Sequence, residues 1–165
     1  MPRSAATRRS EPRSSPRLIS SRSRTRSRDN EPVHELKVAT ERKTQLLDVT
    51  DRVHAALEGA EGSLVTLFVP HTTAGVVVQA AGPGASAVAT DIESALERLV
   101  DETWPWEHVH EGDRNPWSHV RTALTASSVS IPLENGRLAL GRLQAVFLAE
   151  FDGPRERTLL LAVTR

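Results

Sequence analysis

The last third of the chain constrains its fold more than any other feature. Four apolar segments, residues 129–133, 138–140, 143–151 and 157–164, follow one another with Glu134-Asn135-Gly136 and Asp152-Gly153-Pro154 as turns and no helix between them. A parallel pair needs a crossover of about a dozen residues or more, so strands this closely spaced are expected to pair as antiparallel neighbours. Asn-Gly and Asp-Gly suit such turns because they accept the positive φ that tight hairpins require.

Upstream, helical and strand periodicities alternate. Residues 33–40 alternate loosely and read as a strand, and 46–49 as a second short one. Thr50 stands where a helix N-cap is expected, with Val53, Ala56 and Leu57 on one face and Gly59 and Gly62 ending the helix. Residues 64–69, bounded by Pro70, read as a buried strand, and 76–78 as another. After the Gly82-Pro83-Gly84 turn, Val88, Ile92, Ala95, Leu96, Leu99 and Val100 recur at helical spacing. Residues 119–124 read as one or two helical turns. These elements predict an α+β domain over residues 33–165, a mixed or antiparallel sheet packed with helices. A chain of 165 residues, 38% of them hydrophobic, suits one such core.

The chain has no cysteine, which excludes disulfides, thiolate zinc fingers and a cysteine nucleophile. No apolar run approaches the roughly 20 residues that span a bilayer, so the reading is of a cytoplasmic protein without a membrane partner. The neutral net charge conceals an asymmetry. Nine arginines within residues 1–30 face only Glu11 and Asp29, and the rest of the chain carries the compensating negative charge. This Ser-, Pro- and Arg-rich stretch holds too little apolar surface to offset chain entropy, so residues 1–32 are expected to be a disordered arm. Three meanings stay open for it: a solvated tail, a nucleic-acid contact through arginine–phosphate pairing, or an organelle transit segment. No aromatic residue is interleaved for base stacking, so nucleic acid is expected as a partner only through this arm.

Residues 101–118 carry all three tryptophans and two of the six histidines in a loop-like run too long to be a plain connection. His108, His110, Glu111, Asp113, Asn115 and His119 crowd into its second half. His71 follows Pro70 in His71-Thr72-Thr73-Ala74, where a strand ends and two hydroxyls lie beside an imidazole. Three histidines from separate elements suit a zinc site that keeps a position open, although loop histidines also serve as ordinary hydrogen-bonding residues. His34 and His54, on a strand and an amphipathic helix, read as structural. Gly112-Asp113-Arg114-Asn115 and Asp152-Gly153-Pro154-Arg155-Glu156-Arg157 combine turns, backbone N–H groups and arginine, the materials that hold a phosphate.

Taken in order, His71-Thr72-Thr73-Ala74, Asp91, His108 with Glu111-Gly112-Asp113 and Asn115, Ser118-His119, Ile131-Pro132-Leu133 with Gly136, Leu140-Gly141 with Gln144, and Phe151-Asp152-Gly153-Pro154-Arg155 closely resemble the YjbQ family. That family is also called the secondary thiamine-phosphate synthase family, and the resemblance covers roughly residues 34–165. It implies an α+β domain assembled as a homotrimer, with a histidine-lined pocket near subunit contacts that sometimes holds a metal. It also implies a weak thiamine-phosphate synthase activity, a transferase reaction joining a pyrimidine pyrophosphate to a thiazole phosphate with loss of pyrophosphate.

On this reading His71, His108, Asp113 and His119 are the catalytic candidates, and Thr72, Thr73, Asn115 and Arg155 bind the phosphorylated ligand. A zinc ion would take His71, His108 and His119, whereas magnesium would prefer Asp113, Glu111 and Asp91. Three departures stand against the family pattern. Gln79, Ala80, Ala81, Gly82 and Pro83 replace an Asn-Glu pair followed by Asp-Pro, Trp117 replaces a histidine, and Arg142-Leu143-Gln144 replaces Thr-Trp-Gln. The lost carboxylates open the alternative of a non-catalytic trimer that binds a metal or a phosphorylated ligand.

Overall fold

The computed structural model describes residues 33–109 and 114–165. The arm at 1–32 and residues 110–113, Glu111 and Asp113 among them, lie outside the described residues. The order of elements is β1 (His34–Ala39), β2 (Gln45–Asp48), α1 (Thr50–Ala56), β3 (Leu64–Phe68), β4 (Ala74–Ala80), α2 (Ala85–Leu99), α3 (Pro116–Leu124), β5 (Ser128–Glu134), β6 (Arg137–Leu138), β7 (Gln144–Glu150) and β8 (Glu156–Thr164). The fold is α+β, as expected, and every strand pair is antiparallel.

The strands divide between a five-stranded sheet, ordered β1-β8-β3-β5-β6, and a three-stranded sheet, ordered β2-β7-β4. This corrects the expectation that the four C-terminal strands pair in succession. Only β5 and β6 form a hairpin, with Asn135 and Gly136 at φ 53° and 73° in the turn. The short connections on either side of β7 are corners that carry the chain between sheets. A corner needs as few residues as a hairpin, so loop length alone does not separate the two.

β7 explains why both sheets are needed. Val146 and Leu148 point into the main core, which holds Val65 and Leu67 of β3, Leu159 and Leu161 of β8, Val53 of α1 and Leu57 just past its end. Ala145, Phe147 and Ala149 alternate onto the opposite face and meet Ala89, Ile92 and Leu96 of α2. The strand is therefore covered on both sides. The apolar stripe of α2 is only partly covered by this packing. Its one buried residue is Glu93, and Leu99 is 60% exposed. Glu93 accepts two hydrogen bonds from Arg42, at 2.7 and 2.9 Å, and one from the Leu46 backbone N–H at 2.6 Å, which ties α2 to the entry of β2.

Two helix starts differ from expectation. Thr50 is the first helical residue of α1 and makes no cap. Its hydroxyl donates to Asp48 Oδ1 at 2.7 Å and accepts the Val146 N–H at 2.9 Å, so β7 has recruited the group that local geometry would use for capping. α3 begins at Pro116, three residues earlier than the apolar pattern predicts. Proline is well placed there, because the first turn of a helix leaves its N–H groups unpaired anyway.

Candidate functional site

The site is built at the end of the five-stranded sheet where β3 leaves and β8 begins. The register pairs Phe68 with Ser128 and with Leu160, so the chain that follows Phe68 runs out beside the start of β5 and the N-terminal part of β8. His71 stands there. Its Nε2 accepts the backbone N–H of Thr158 at 2.9 Å. An acceptor nitrogen carries no proton, so the neutral ring presents its other nitrogen, Nδ1–H, as a donor. Partial burial, and then the positive charge of Arg157, hold the His71 pKa below its ordinary value, which keeps the ring neutral near pH 7.

Beneath His71 lies a closed polar frame. Glu150, the last residue of β7, is fully buried, and Arg157 of β8 is 4% exposed. Arg157 Nε donates to Glu150 Oε2 at 2.6 Å, and its Nη2 donates both to Glu150 Oε1 and, at 2.9 Å, to the hydroxyl of Thr73. Glu150 also accepts the Thr40 hydroxyl at 3.0 Å and the backbone N–H groups of Phe151 and Asp152 at 2.9 and 2.8 Å. Every lone-pair direction of this carboxylate is thus engaged, the condition under which a buried charge is tolerated.

The Asp152–Arg155 turn is fixed against α3 from the other side. Asn115, just before α3, donates from Nδ2 to Asp152 Oδ2 at 2.8 Å, and Ser118 donates to the Phe151 carbonyl at 2.5 Å. Arg155 closes on the same Asp152, at 2.6 Å from Nη2 to Oδ2, while its side chain remains half-exposed. The motifs at 71–74, 115–119 and 151–155 converge here, although they lie far apart in sequence. Thr73 and Asn115 are buried in the frame that holds these segments together.

Two open clefts share His119. One, of about 630 Å³, is lined by His71, Thr72, His119, Thr122, Thr125 and Ser128. The other, of about 560 Å³, lies between Trp106, His108 and Pro105 on one side and Pro116, His119 and Val120 of α3 on the other. The rings of His108 and His119 meet edge to face with centroids 5.4 Å apart. Trp104 stacks on Trp106 at 5.4 Å, and Trp106 Nε1 donates to the Asp101 carbonyl at 3.2 Å, which fixes the indole at the cleft wall. A larger cleft of about 850 Å³ opens at the far end of the sheet, around Glu58–Gly62 and Asn135–Arg137, and contains none of the expected site residues.

The structure therefore gathers His71, Thr72, His108 and His119, with Arg155 on the neighbouring turn. Asp91 is exposed on α2 and lines neither cleft. Gln79 and Ala80 sit at the end of β4 remote from Thr73, and Trp117 lines neither cleft but receives the Lys43 ammonium over its ring at 4.5 Å. Among the described residues no three His, Asp or Glu side chains form a metal-holding group. As placed here, Nε2 of His71 accepts the Thr158 N–H and is not turned toward an ion.

Sequence reasoning did not single out Thr122, Glu150 or the structural role of Arg157. A charged residue at the end of a buried strand was the available signal for Glu150. Thr122 carried no signal, since its burial depends on how α3 docks.

An antiparallel two-sheet α+β fold with a histidine- and hydroxyl-lined cleft at one sheet end is the class this geometry defines. The family model for the UPF0047, YjbQ-like proteins matches residues 34–165, and the chain belongs to that family. It is 35% identical over 127 residues to a UPF0047 protein of Archaeoglobus fulgidus, covering 77% of this chain and 97% of that one. It is 35% identical over 130 residues to the UPF0047 protein YugU of Bacillus subtilis, covering 74% and 92%. Among solved structures, a hypothetical protein from Aeropyrum pernix superposes with a TM-score of 0.73 at 36% identity, covering 80% of this chain and 97% of its own.

Proposed function

We propose that the His71–His119 cleft binds a small phosphorylated molecule, and that the chemistry it supports is the weak thiamine-phosphate synthase reaction implied by the family resemblance. The observation that carries this reading is the donor-rich cleft itself: Nδ1–H of His71, the hydroxyls of Thr72 and Ser128, and His119, with Arg155 on the adjoining turn. Such an array stabilises phosphate oxygens, and a departing pyrophosphate most of all, because its charge grows as the bond to the pyrimidine methylene breaks. The thiazole nitrogen supplies the electron pair of the new bond, so the protein's task is to hold two phosphates and align the reacting atoms.

In this reading the protein is a cytoplasmic homotrimer. The half-covered apolar stripe of α2, ending at Leu99, supplies apolar surface for contact between copies. No helix among the described residues is long and apolar enough to cross a membrane.

A second reading, a binding protein without turnover, is favoured by one specific observation. Asp152 is held by Asn115 and Arg155, and Glu150 is sealed in the frame, so neither carboxylate is open to a substrate. An assay with both phosphorylated precursors separates the two. Pyrophosphate release that is lost in the double variant His71→Ala/His119→Ala supports the synthase. Stoichiometric precursor binding without pyrophosphate release leaves the binding protein.

A further inference from the structure

We propose that Asn135 is a site of spontaneous covalent modification, closing an imide with Gly136 that water opens to aspartate and isoaspartate, at the rim of the cleft on the far end of the sheet. The reaction needs a side-chain amide followed by a residue whose backbone nitrogen is unhindered and free to attack. The chain holds three asparagines and one Asp-Gly pair, and they differ in both respects.

Asn135 meets both conditions. It is exposed, and the glycine after it puts no side chain in the way of the attacking nitrogen. Neither the Asn135 amide nor the Gly136 N–H has a hydrogen-bond partner among the described residues. The other candidates are blocked. Asn115 is 3% exposed, its Nδ2 is held by Asp152 at 2.8 Å, and Pro116 after it has no N–H to lose. Asp152 precedes Gly153, but its carboxylate receives Asn115 and Arg155, and the Gly153 N–H donates to the Lys43 carbonyl at 3.1 Å. Asn30 precedes Glu31 and not glycine.

Ring closure requires rotation about the Asn135 Cα–C bond, so the turn has to open first. The hairpin permits this. β6 is the outermost strand of its sheet and holds to β5 by two residue pairs, Leu133 with Leu138 and Glu134 with Arg137. A strand this short at a sheet edge opens at less cost than the paired centre of the sheet. Asn135 also stands at φ 53°, a region that favours glycine, and opening relieves it.

The step balances with water as its one co-reactant. The Gly136 nitrogen bonds to the Asn135 side-chain carbonyl carbon, the bond from that carbon to the amide nitrogen breaks, and ammonia leaves with the proton that Gly136 gave up. Water then cleaves the imide at either carbonyl. One opening leaves aspartate, and the other leaves isoaspartate, whose main chain is longer by one methylene. Either product adds a carboxylate to the cleft of about 850 Å³ that Glu58, Glu61 and Arg137 also line, so the cleft becomes more acidic. The longer main chain no longer fits a two-residue turn.

The test is peptide mapping of the full chain after incubation at pH 6 and pH 8, native and in urea. Trypsin separates the sites, because cuts after Arg114, Arg121 and Arg137 leave Asn115 and Asn135 in different peptides. In the native chain the Asn135 peptide is expected to gain the mass of amide-to-acid conversion and split into two chromatographic forms, faster at pH 8, while the Asn115 peptide stays unchanged. Asn135→Gln should abolish the change, and urea should speed it by no more than about tenfold, since the turn opens locally. The converted fraction should melt below the fresh chain, whereas a fresh Asn135→Asp variant, which lacks the added methylene, should not. An Asn135 peptide that converts in urea but stays intact in the native chain, or an Asn115 peptide that converts as fast, would overturn the proposal. A converted fraction that melts like the fresh chain would overturn its effect on the hairpin.

Discussion

Arg157 and Glu150 face each other across the junction of the two sheets, and their ion pair fixes where β7 ends relative to where β8 begins. Arg157 Nε meets Glu150 Oε2 at 2.6 Å, and the same guanidinium holds the Thr73 hydroxyl, so one buried cation links the 71–74 and 151–155 motifs. Removing either partner leaves the other charged, buried and uncompensated. Glu150→Ala and Arg157→Ala are each expected to cost about 3–5 kcal/mol, read as a lower denaturant midpoint. Arg155→Ala should cost no more than about 1 kcal/mol, since its pair with Asp152 is half-exposed. Equal losses for Arg155 and Arg157 would contradict this division.

Stability should depend on pH through His71. Its folded pKa is depressed, first by burial and then by Arg157, so the native state prefers the neutral ring. At acidic pH the unfolded chain takes up a proton more readily than the folded one. The stabilisation is thus complete above the unfolded value of about 6.5 and is lost as pH falls below it through the folded pKa. The Thr158 N–H bond to Nε2 is lost with it. Melting temperatures at pH 8 and pH 5 should differ less in His71→Gln than in the parent chain, and an unchanged difference would remove His71 as the cause.

His119 is half-buried between two open clefts and Ser118 beside it is fully buried, so the neighbours should respond differently. His119→Ala is expected to abolish ligand binding with little change in melting temperature. Ser118→Ala leaves the Phe151 carbonyl without its donor and should cost about 1–3 kcal/mol. A large loss of stability from His119→Ala would place that ring in the packing and not in the site.

Gly75 lies where β4 passes the segment joining α3 to β5. A Cβ there would come within 2.6 Å of the Ala126 carbonyl and 2.7 Å of Thr125 Oγ1. The neighbouring Val76 N–H bonds that same carbonyl at 2.7 Å, so backbone must move to make room. Gly75→Ala should destabilise by about 1–3 kcal/mol and also weaken phosphate binding, because Thr125 borders the hydroxyl cleft. Thermal melts and titration of the same variant check both parts.

The sequence by itself determined the local elements. The apolar runs at 64–69 and 157–164, helical spacing from Val88 to Val100 and the Asn135-Gly136 turn each express a preference of a few adjacent residues, and the structure carries all of them. The order of motifs likewise determined the family. Only the tertiary structure decided what depends on distant groups. It placed β7 in the second sheet, because two layers are required to cover both of its faces. It buried Thr73 and Asn115 in the frame that joins the motifs, and it buried Thr122 without a partner. Burial and hydrogen bonding at Thr73 and Asn115 are set by distant chain segments, Arg157 for Thr73 and Asp152 for Asn115, which a local pattern cannot encode.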